Sequence, residues 1–369
     1  MFGAFRLYLA ILVMAQHLLG VPDVGAYAVF SFFVLSGFLM TAIMHESYGY
    51  DWSGRWRYAQ NRFLRLYPSY WIAIAISVAV IGFVGPRFAA DYFQDLRLPA
   101  TWLSTFENVT MVFANLFPVD VSPRLSPATW ALTVEISYYV LIGLGVSRSK
   151  RLTTLWLLVS LAYVVVVFAL RLHSGYRYFA IPAGSLPFSV GAALYFHKEA
   201  LYRRIRTVAF LRVWPLALAH LTVCAGFSIL ACFGTHYAIS DLGRYIGIAV
   251  TALLLVRLYY EGPPRLPRSV DNLLGRYSYP AYLLHFQLGA LTSYLLFRRP
   301  VIGFSGSSLL VWIVNLGLIA LVASAILFGV DPAIERLRTA IRARRRAPLS
   351  PTDLEPEPGA VNRALTSAP

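Results

Sequence analysis

Long runs of apolar residues alternate with short polar segments along most of the chain, from residue 7 to residue 328. A transmembrane helix needs about 20 apolar residues, and most of these runs approach that length. The pattern therefore predicts an all-α polytopic membrane protein, a bundle of about ten transmembrane helices. The predicted spans are 7–21, 27–44, 67–84, 128–146, 152–170, 179–196, 213–232, 243–260, 278–297 and 307–328.

Arginine and lysine are concentrated in alternate connections between these spans. By the positive-inside rule the strongly basic connections are cytoplasmic, and an even number of spans then places both termini in the cytoplasm. The basic connections carry Arg55, Arg57, Arg62 and Arg65; Arg148, Lys150 and Arg151; Lys198, Arg203, Arg204, Arg206 and Arg212; Arg257, Arg265, Arg268 and Arg276; and the arginines from 336 to 346.

The composition agrees with this class, because 58% of the residues are hydrophobic and only 13% are charged. A net charge of +15 would suggest nucleic-acid binding in a soluble protein, but here the arginines lie between apolar runs. We therefore expect membrane lipids, and no nucleic acid, as partners. The two cysteines, Cys224 and Cys232, are about 12 Å apart along one helix and cannot form a disulfide with each other. We predict no metal site, since no ligand spacing for one is present.

The chain divides by composition into three parts. Residues 1–330 form the transmembrane domain, 331–348 a basic juxtamembrane segment, and 349–369 a predicted disordered cytoplasmic tail rich in Pro, Ser, Thr and Glu. The first run also has features of a signal peptide, but a second span follows it at once. The longest external connection, 85–127, is long enough for half-helices or a re-entrant lid, and an aromatic-rich loop is the alternative.

The first span carries two ionisable residues, Arg6 and His17, on either side of a nearly apolar stretch. A step of eleven residues returns to within about 20° of the same helix face, about 16 Å further along. An ionisable residue inside a membrane requires a partner or a wet cavity, so this shared face is a candidate site. Arg6 could instead only anchor the helix at the membrane edge.

The third span begins with two arginines, Arg62 and Arg65, which lie three residues apart and are therefore neighbours on one helical turn. Guanidinium groups bind phosphate in a bidentate manner, so this pair would suit a phosphate-bearing cytosolic ligand such as coenzyme A. The alternative is that both are ordinary positive-inside anchors.

Glu135 lies near the start of the fourth span, and the direction of the chain predicts it in the outer half of the membrane at a depth similar to that of His17. A carboxylate that accepts from Nδ1–H of an imidazole would leave Nε2 free to take a proton from a hydroxyl. The alternative is a structural lock between Glu135 and Arg6 or a tyrosine. In the second span, Ser36 and Gly37 favour close helix packing over contact with substrate.

The ninth span places Ser278, Tyr282 and His285 on one stripe, predicted in the inner half of the membrane. That stripe could border a channel for a cytosolic thioester, which makes Ser278 and His285 candidate donor-binding residues. A helix-to-helix hydrogen bond is the alternative role for His285.

Taken in order, these motifs resemble those of the acyltransferase-3 family of bacterial integral-membrane O-acyltransferases. The likeness covers residues 6 to 328, although Ile136 stands where many members have a second glutamate. The motifs are Arg6 with ten residues to His17, Phe-Phe-Val-Leu-Ser-Gly-Phe at 32–38, Arg-Phe-Leu-Arg-Leu-Tyr-Pro at 62–68, Trp-Ala-Leu-Thr-Val-Glu at 130–135 and Ser-Tyr-Pro-Ala-Tyr-Leu-Leu-His at 278–285.

The resemblance implies an enzyme of the bacterial cytoplasmic (inner) membrane that moves an acyl group, most often acetyl, from cytosolic acyl-CoA to a hydroxyl of a cell-surface glycan or its lipid-linked precursor. It makes Arg6, His17 and Glu135 the catalytic candidates, and it assigns Arg62 and Arg65 to the donor. Acyl-CoA is then a substrate, and no permanently bound cofactor is expected. Imidazole can act as base or as nucleophile, so direct transfer and an acyl-His17 intermediate both remain open.

Other functions also fit the pattern. The acceptor could be a small hydrophobic molecule such as a macrolide. A transporter or flippase for a glycan intermediate would need a similar number of spans, and such proteins have paired repeats with broken helices that are not evident here. A non-catalytic scaffold would leave the buried polar residues without a purpose.

Overall fold

A computed structural model describes residues 2–233 and 237–343, so the predicted tail at 349–369 lies outside the described residues. Helices make up the fold, and the described part of the chain contains no strand. The helices are α1 (Gly3–Leu19), α2 (Val24–Ile43), α3 (Trp52–Val84), α4 (Pro86–Tyr92), α5 (Trp102–Thr110), α6 (Trp130–Leu144), α7 (Lys150–Ala169), α8 (Gly175–Tyr178), α9 (Ser185–Ile205), α10 (Val213–Cys232), α11 (Tyr237–Glu261), α12 (Arg268–Phe297), α13 (Gly306–Ala325) and α14 (Asp331–Ala343).

The all-helical prediction is confirmed, and each of the ten predicted spans falls on a helix in the same order. Within the described ranges, six helices are long and apolar enough to cross a membrane. The total of ten spans and the cytoplasmic position of the termini therefore remain predictions. The helices that miss the criterion include α1, with 17 residues, and α6, with 15 residues.

The second helix lies at the centre of the bundle, where it packs against α1, α9 and α11 and is almost wholly buried. In contrast, α7, α10 and α13 expose most of their length. Their exposed side chains are large and apolar, among them Leu158, Val165, Leu218 and Leu321. An apolar outer surface around an all-helical bundle is what an integral membrane protein presents to lipid.

Glycines bring pairs of helices into backbone contact. A Cβ added to Gly275 on α12 would lie 2.8 Å from the Cα of Gly3 on α1, and a Cβ on Gly191 of α9 would collide with the backbone of α2 at Val34. A Cβ on Gly289 would meet Leu18 at 2.7 Å, so α1 and α12 are also close at their other ends. Small residues at such crossings allow tight van der Waals packing where hydrophobicity alone cannot drive helix association.

The long connection after α3 is folded and returns into the bundle. It contains α4 and α5, and a buried ion pair joins Arg124 to Asp95. Its last residues reach the middle of α12, since Ser126 Oγ donates to the carbonyl of Leu283 (3.0 Å) and Tyr282 Oη donates to the carbonyl of Ala128 (2.8 Å). As a result α6 begins inside the bundle and not at its surface.

The predicted juxtamembrane segment is helical over the residues described. A π-helical turn at Ile326–Val330 ends α13 and leads into α14, which packs against α3. This turn brings the end of the described chain back across the end of the bundle at which α1 begins. We call this end the basic end, because Arg6, Arg62 and Arg65 lie there.

The tight crossing of α1 and α12 provides a stability test. Gly275→Ala should lower the free energy of unfolding by about 1–3 kcal/mol, because the new methyl group has to displace the backbone of α1. Gly317→Ala on α13 is the matched control, since no atom lies within 4 Å of the added Cβ. It should be neutral or slightly stabilising through helix propensity. Thermal unfolding in detergent measures both, and equal Tm values for the two variants would contradict the close contact.

Candidate active site

Two cavities meet at three arginines near the basic end. The inner cavity, about 90 Å³, lies between α1, α2, α3, α6 and α12. The mouth cavity, about 720 Å³, lies between α14 and the first turns of α1 and α12. Arg6, Arg62 and Arg65 line both cavities. A ligand that enters the mouth must therefore pass three guanidinium groups before it reaches the interior.

Positive charge dominates the mouth cavity, which is lined by five arginines and two acidic residues. Both acidic residues form ion pairs: Asp331 lies 3.7 Å from Arg276, and Glu335 lies 2.5 Å from Arg338. Within the described ranges, the three arginines shared by the two cavities form no ion pair. Guanidinium groups gathered without a counter-charge attract anions, and phosphate groups match their geometry.

The position of Arg62 is set by short-range contacts. Its Nη2 donates to Asn61 Oδ1 (3.0 Å) and its Nη1 lies 3.6 Å from the sulfur of Met40, while Nε is buried and makes no hydrogen bond to a described residue. Arg65 is one turn further along α3, with its guanidinium 5.8 Å from the ring centre of Tyr279. The spacing of three residues thus turns both side chains towards the junction of the cavities, as the sequence predicts.

Glu135 lies on the wall of the inner cavity, and two hydroxyl groups bind one of its oxygens. Ser36 Oγ donates to Glu135 Oε1 (2.6 Å), and Tyr139 Oη donates to the same atom from one turn along α6. Arg6 lines the same cavity, within electrostatic range of the carboxylate. Ser36 therefore contacts a half-buried carboxyl group in addition to any role in helix packing.

The structure does not form the predicted contact between Glu135 and His17. Glu135 shares a cavity with Arg6, which lies about 16 Å along α1 from His17. Its carboxylate binds Ser36 and Tyr139 and does not hold His17 in the structure. The physical reason is that 118–129 returns into the bundle, so α6 starts deeper than a helix that begins at the membrane surface. The geometry corresponds to the alternative of a lock between Glu135 and a tyrosine.

His17 instead lies against His285. The two imidazoles stack with centroids 5.5 Å apart and planes 25° apart, and the ring of Phe286 lies 4.6 Å from that of His17. Arg124 is close enough to His17 to act on it electrostatically. His17 is partly exposed whereas His285 is fully buried, so His17 is the more accessible of the two.

The hydrogen bonds of His285 define which ring nitrogen carries the proton. Nδ1 lies 2.8 Å from the carbonyl of Tyr282, and a carbonyl only accepts, so Nδ1 is the donor. Nε2 is then an acceptor in the neutral ring, and it is buried with no hydrogen-bond partner among the described residues. The histidine pair thus presents an unsatisfied nitrogen acceptor.

The three residues of the predicted stripe on α12, Ser278, Tyr282 and His285, do not all face the same cavity. Ser278 and Tyr282 line the inner cavity, and Ser278 Oγ donates to the carbonyl of Gly275 (2.8 Å). His285 lines neither cavity, and the ring of Tyr282, which lines the inner cavity, is 6.1 Å from that of His285. His285 therefore lies with His17, whereas Ser278 lies on the wall of the inner cavity, and the donor-binding role of both stays a prediction.

Sequence reasoning missed two arginines close to these groups. Arg124 was indistinguishable from the other sparse charges on its side of the predicted bundle, although an acidic residue in the same connection, Asp95, was a signal for a pair. Arg338 lies in the segment predicted only as basic and juxtamembrane. Its spacing from Asp331 and Ile334 is typical of one face of a helix, which is the signal that could have placed it.

A family model described as an acyltransferase domain, that of the acyltransferase-3 family, matches residues 3–329. The protein is thus a membrane acyltransferase by class. Because the match covers nearly all of the bundle, the chain belongs to the acyltransferase-3 family, and the resemblance seen in the sequence is confirmed. Comparisons with curated proteins and with solved structures gave no match.

The buried ion pair that precedes α6 provides a second test. Arg124→Met should destabilise the protein by about 3–5 kcal/mol, because Asp95 would remain buried without its opposite charge. The double variant with Asp95→Asn should recover most of that loss. Arg97→Met, an exposed arginine in the same connection, is the control and should leave Tm unchanged. If the double variant were no more stable than Arg124→Met, the pairing would not explain the loss.

Proposed function

We propose that this protein is an O-acyltransferase of the bacterial inner membrane that transfers an acyl group, in the first place acetyl, from cytosolic acyl-CoA to a hydroxyl of a cell-surface glycan or its lipid-linked precursor. One observation carries the proposal within the family. Three arginines without acidic partners among the described residues lie where the mouth cavity meets the inner cavity. A phosphate-bearing donor with a narrow reactive arm suits that arrangement.

The donor enters from the basic end, which faces the cytoplasm in the predicted orientation. Arg62 and Arg65 bind its phosphates as charge-assisted, bidentate partners. The pantetheine arm then runs along the inner cavity past Ser278 and the carboxylate of Glu135. From Arg6 to His17 the distance is about 16 Å along α1, which an extended pantetheine arm can bridge.

The acyl group is transferred beside His17. The acceptor hydroxyl attacks the thioester carbonyl, a C–O bond forms, and the C–S bond breaks after the tetrahedral intermediate. His17 takes the hydroxyl proton as general base and returns it to the leaving thiolate, which departs as the free thiol of CoA. Tyr282 lines the inner cavity and its ring is 6.1 Å from His285, so on this proposal that ring turns aside to admit the acyl group to His17.

Roles of the remaining groups follow from their distances. Arg6 and Glu135 line the inner cavity, which neither His17 nor His285 lines, so we assign both to the donor and not to the developing oxyanion. Arg124 is the arginine that acts electrostatically on His17. Its Nε and Nη1 are buried and make no hydrogen bond to any described residue. Its guanidinium would stabilise negative charge on the carbonyl oxygen.

The role of His17 is tested by replacing it. His17→Ala should lower acyl transfer at least about 100-fold, since removal of a general base costs about 10²–10⁴ in rate. Membranes that contain the protein and the native glycan acceptor are supplied with acetyl-CoA, and release of CoA thiol and labelling of glycan are measured together. His197→Ala, an exposed histidine on α9, is the matched control and should retain full activity. Full activity of His17→Ala at normal protein level would remove His17 from the chemistry.

The phosphate role of the shared arginines is tested by a ratio of kinetic constants. Arg62→Ala and Arg65→Ala should each raise the apparent KM for acetyl-CoA about tenfold or more, because a hydrogen bond to a charged group contributes about 1.5–3 kcal/mol. The apparent KM for the acceptor should change little. Arg57→Ala on the same helix lines neither cavity and serves as control. A larger effect on the acceptor than on the donor would exclude the phosphate role.

The same measurements separate the alternative functions. Thiol release without glycan labelling, but with acylation of an added hydrophobic alcohol, would indicate a small-molecule acceptor. Movement of a glycan intermediate across the membrane without thiol release would indicate a transporter. Mass analysis of surface glycans from cells with and without the gene identifies the acceptor directly.

A further inference from the structure

The last described helix brings an arginine into the mouth cavity from outside the region that the family model matches. That match ends at residue 329, and α14 begins at Asp331 after the π-helical turn. Arg338 on α14 lines the mouth cavity with Arg62 and Arg65. The mouth is therefore completed by a part of the chain that does not belong to the matched acyltransferase domain.

The arginines of α14 point in different directions. The side chain of Arg338 is only 13% exposed, whereas Arg336 and Arg342 are exposed. Residues 331, 334 and 338 recur at the spacing of one helix face, and all three line the mouth cavity. Arg338 thus faces the cavity while Arg336 faces away from it.

A single buried amide connects Arg338 to the arginines of α3. Asn61 is fully buried, and its Oδ1 accepts from Arg62 Nη2 (3.0 Å) and from Arg338 Nε and Nη2 (3.3 Å each). Its Nδ2 faces the carbonyl of Arg338 at 3.4 Å. One neutral side chain therefore holds two guanidinium groups side by side, although like charges repel each other.

The grouping concentrates positive charge. Arg338 lies within electrostatic range of Arg62 and Arg65, and both of these act on Arg6 as well. Glu335 contacts Arg338, and Glu135 is within range of Arg6, which leaves an excess of positive charge among the four. Holding such charges together is unfavourable unless an anion with several charges binds between them.

The positions of the arginines relative to the two cavities indicate which phosphate each would bind. Arg62 and Arg65 line both cavities, so they lie where the arm of the donor continues inward. Arg338 lines the mouth cavity but not the inner cavity. In acyl-CoA the diphosphate adjoins the pantetheine arm, and the 3′-phosphate is set apart on the ribose.

We propose that α14 is a clamp for the donor nucleotide and that Arg338 binds the 3′-phosphate of CoA while Arg62 and Arg65 bind the diphosphate. This inference rests on the proposed function, because it assumes a CoA thioester in the mouth. It makes the enzyme selective for CoA over donors with the same arm but no 3′-phosphate. Asn61 acts as a positioning residue that keeps Arg62 and Arg338 at a fixed separation.

A phosphate in the mouth could also belong to an anionic lipid, because the ligand chemistry is the same. Arg336 and Arg342 are turned outward, where a headgroup would approach, whereas Arg338 faces the cavity. The two sources are distinguished by competition. Anionic lipid in the detergent micelles should not displace CoA from the purified protein if the nucleotide is the ligand.

The experiment compares CoA with 3′-dephospho-CoA on the purified full-length chain by isothermal titration calorimetry in neutral detergent. The unsubstituted protein should bind CoA at least about tenfold more tightly than 3′-dephospho-CoA. Arg338→Ala should remove that ratio by weakening CoA binding about tenfold with 3′-dephospho-CoA unchanged. Arg338→Lys should keep part of the ratio, since it retains the charge without the planar fork. Arg336→Ala is the control on the same helix and should keep the full ratio.

Each result decides between named alternatives. If Arg338→Ala weakened both ligands equally, or neither, the assignment of the 3′-phosphate would be overturned. Displacement of CoA by phosphatidylglycerol in the unsubstituted protein, but not in Arg338→Ala, would make lipid the ligand and overturn it as well. If the unsubstituted protein bound neither CoA nor 3′-dephospho-CoA, the proposed function itself would fail. Unchanged Tm values of the variants show that the bundle remains folded, and retention of part of the ratio by Arg338→Lys shows that α14 is still in place.

Discussion

The backbones of α1 and α12 touch where Gly3 meets Gly275, and no side chain separates the two helices at that point. A second close contact, between Leu18 and Gly289, keeps them together at the opposite end. Because Arg6 and His17 share one face of α1, this single packing arrangement presses both against neighbouring elements. It places His17 on His285 and brings Arg6 beside the cavity that Ser278 lines. If α1 and α12 packed less closely, His17 would lose its contact with His285 and Arg6 would move away from Ser278 at the same time.

Charge is arranged along this helix pair in a graded way. At the basic end, arginines outnumber the acidic groups that could neutralise them, which suits a highly charged ligand. In the inner cavity one carboxylate, Glu135, is surrounded by two hydroxyl donors. Beside His17 the neighbours are aromatic rings and Arg124, whose charge is paired with that of Asp95. A ligand with charge at one end and an uncharged group at the other would match that gradient.

Much of this could be predicted from the sequence, because local patterns determine local structure. Hydrophobic run lengths located the helices, and the spacing of Arg62 and Arg65 placed them on one turn. The errors concern relations between distant parts of the chain. The partners of Glu135 depended on a returning segment whose path is set by hydrogen bonds to α12. The partner of His17 depended on which helix packs against α1, and no periodicity contains that information. Arg338 acquired its position only through the π-helical turn before α14.

The contact between α1 and α12 also determines when the site can form. Ala4 donates its backbone N–H to Asp271 Oδ1, which is 267 positions later in the chain (2.8 Å). During synthesis His17, on α1, is therefore made early, and it cannot contact His285 until the described helices α2 to α12 have followed. Contacts of such long sequence separation form slowly, since loop closure has to precede them. A ribosome-bound, half-inserted chain thus has no assembled histidine pair, so any chemistry that needs both rings starts only after α12 has been inserted.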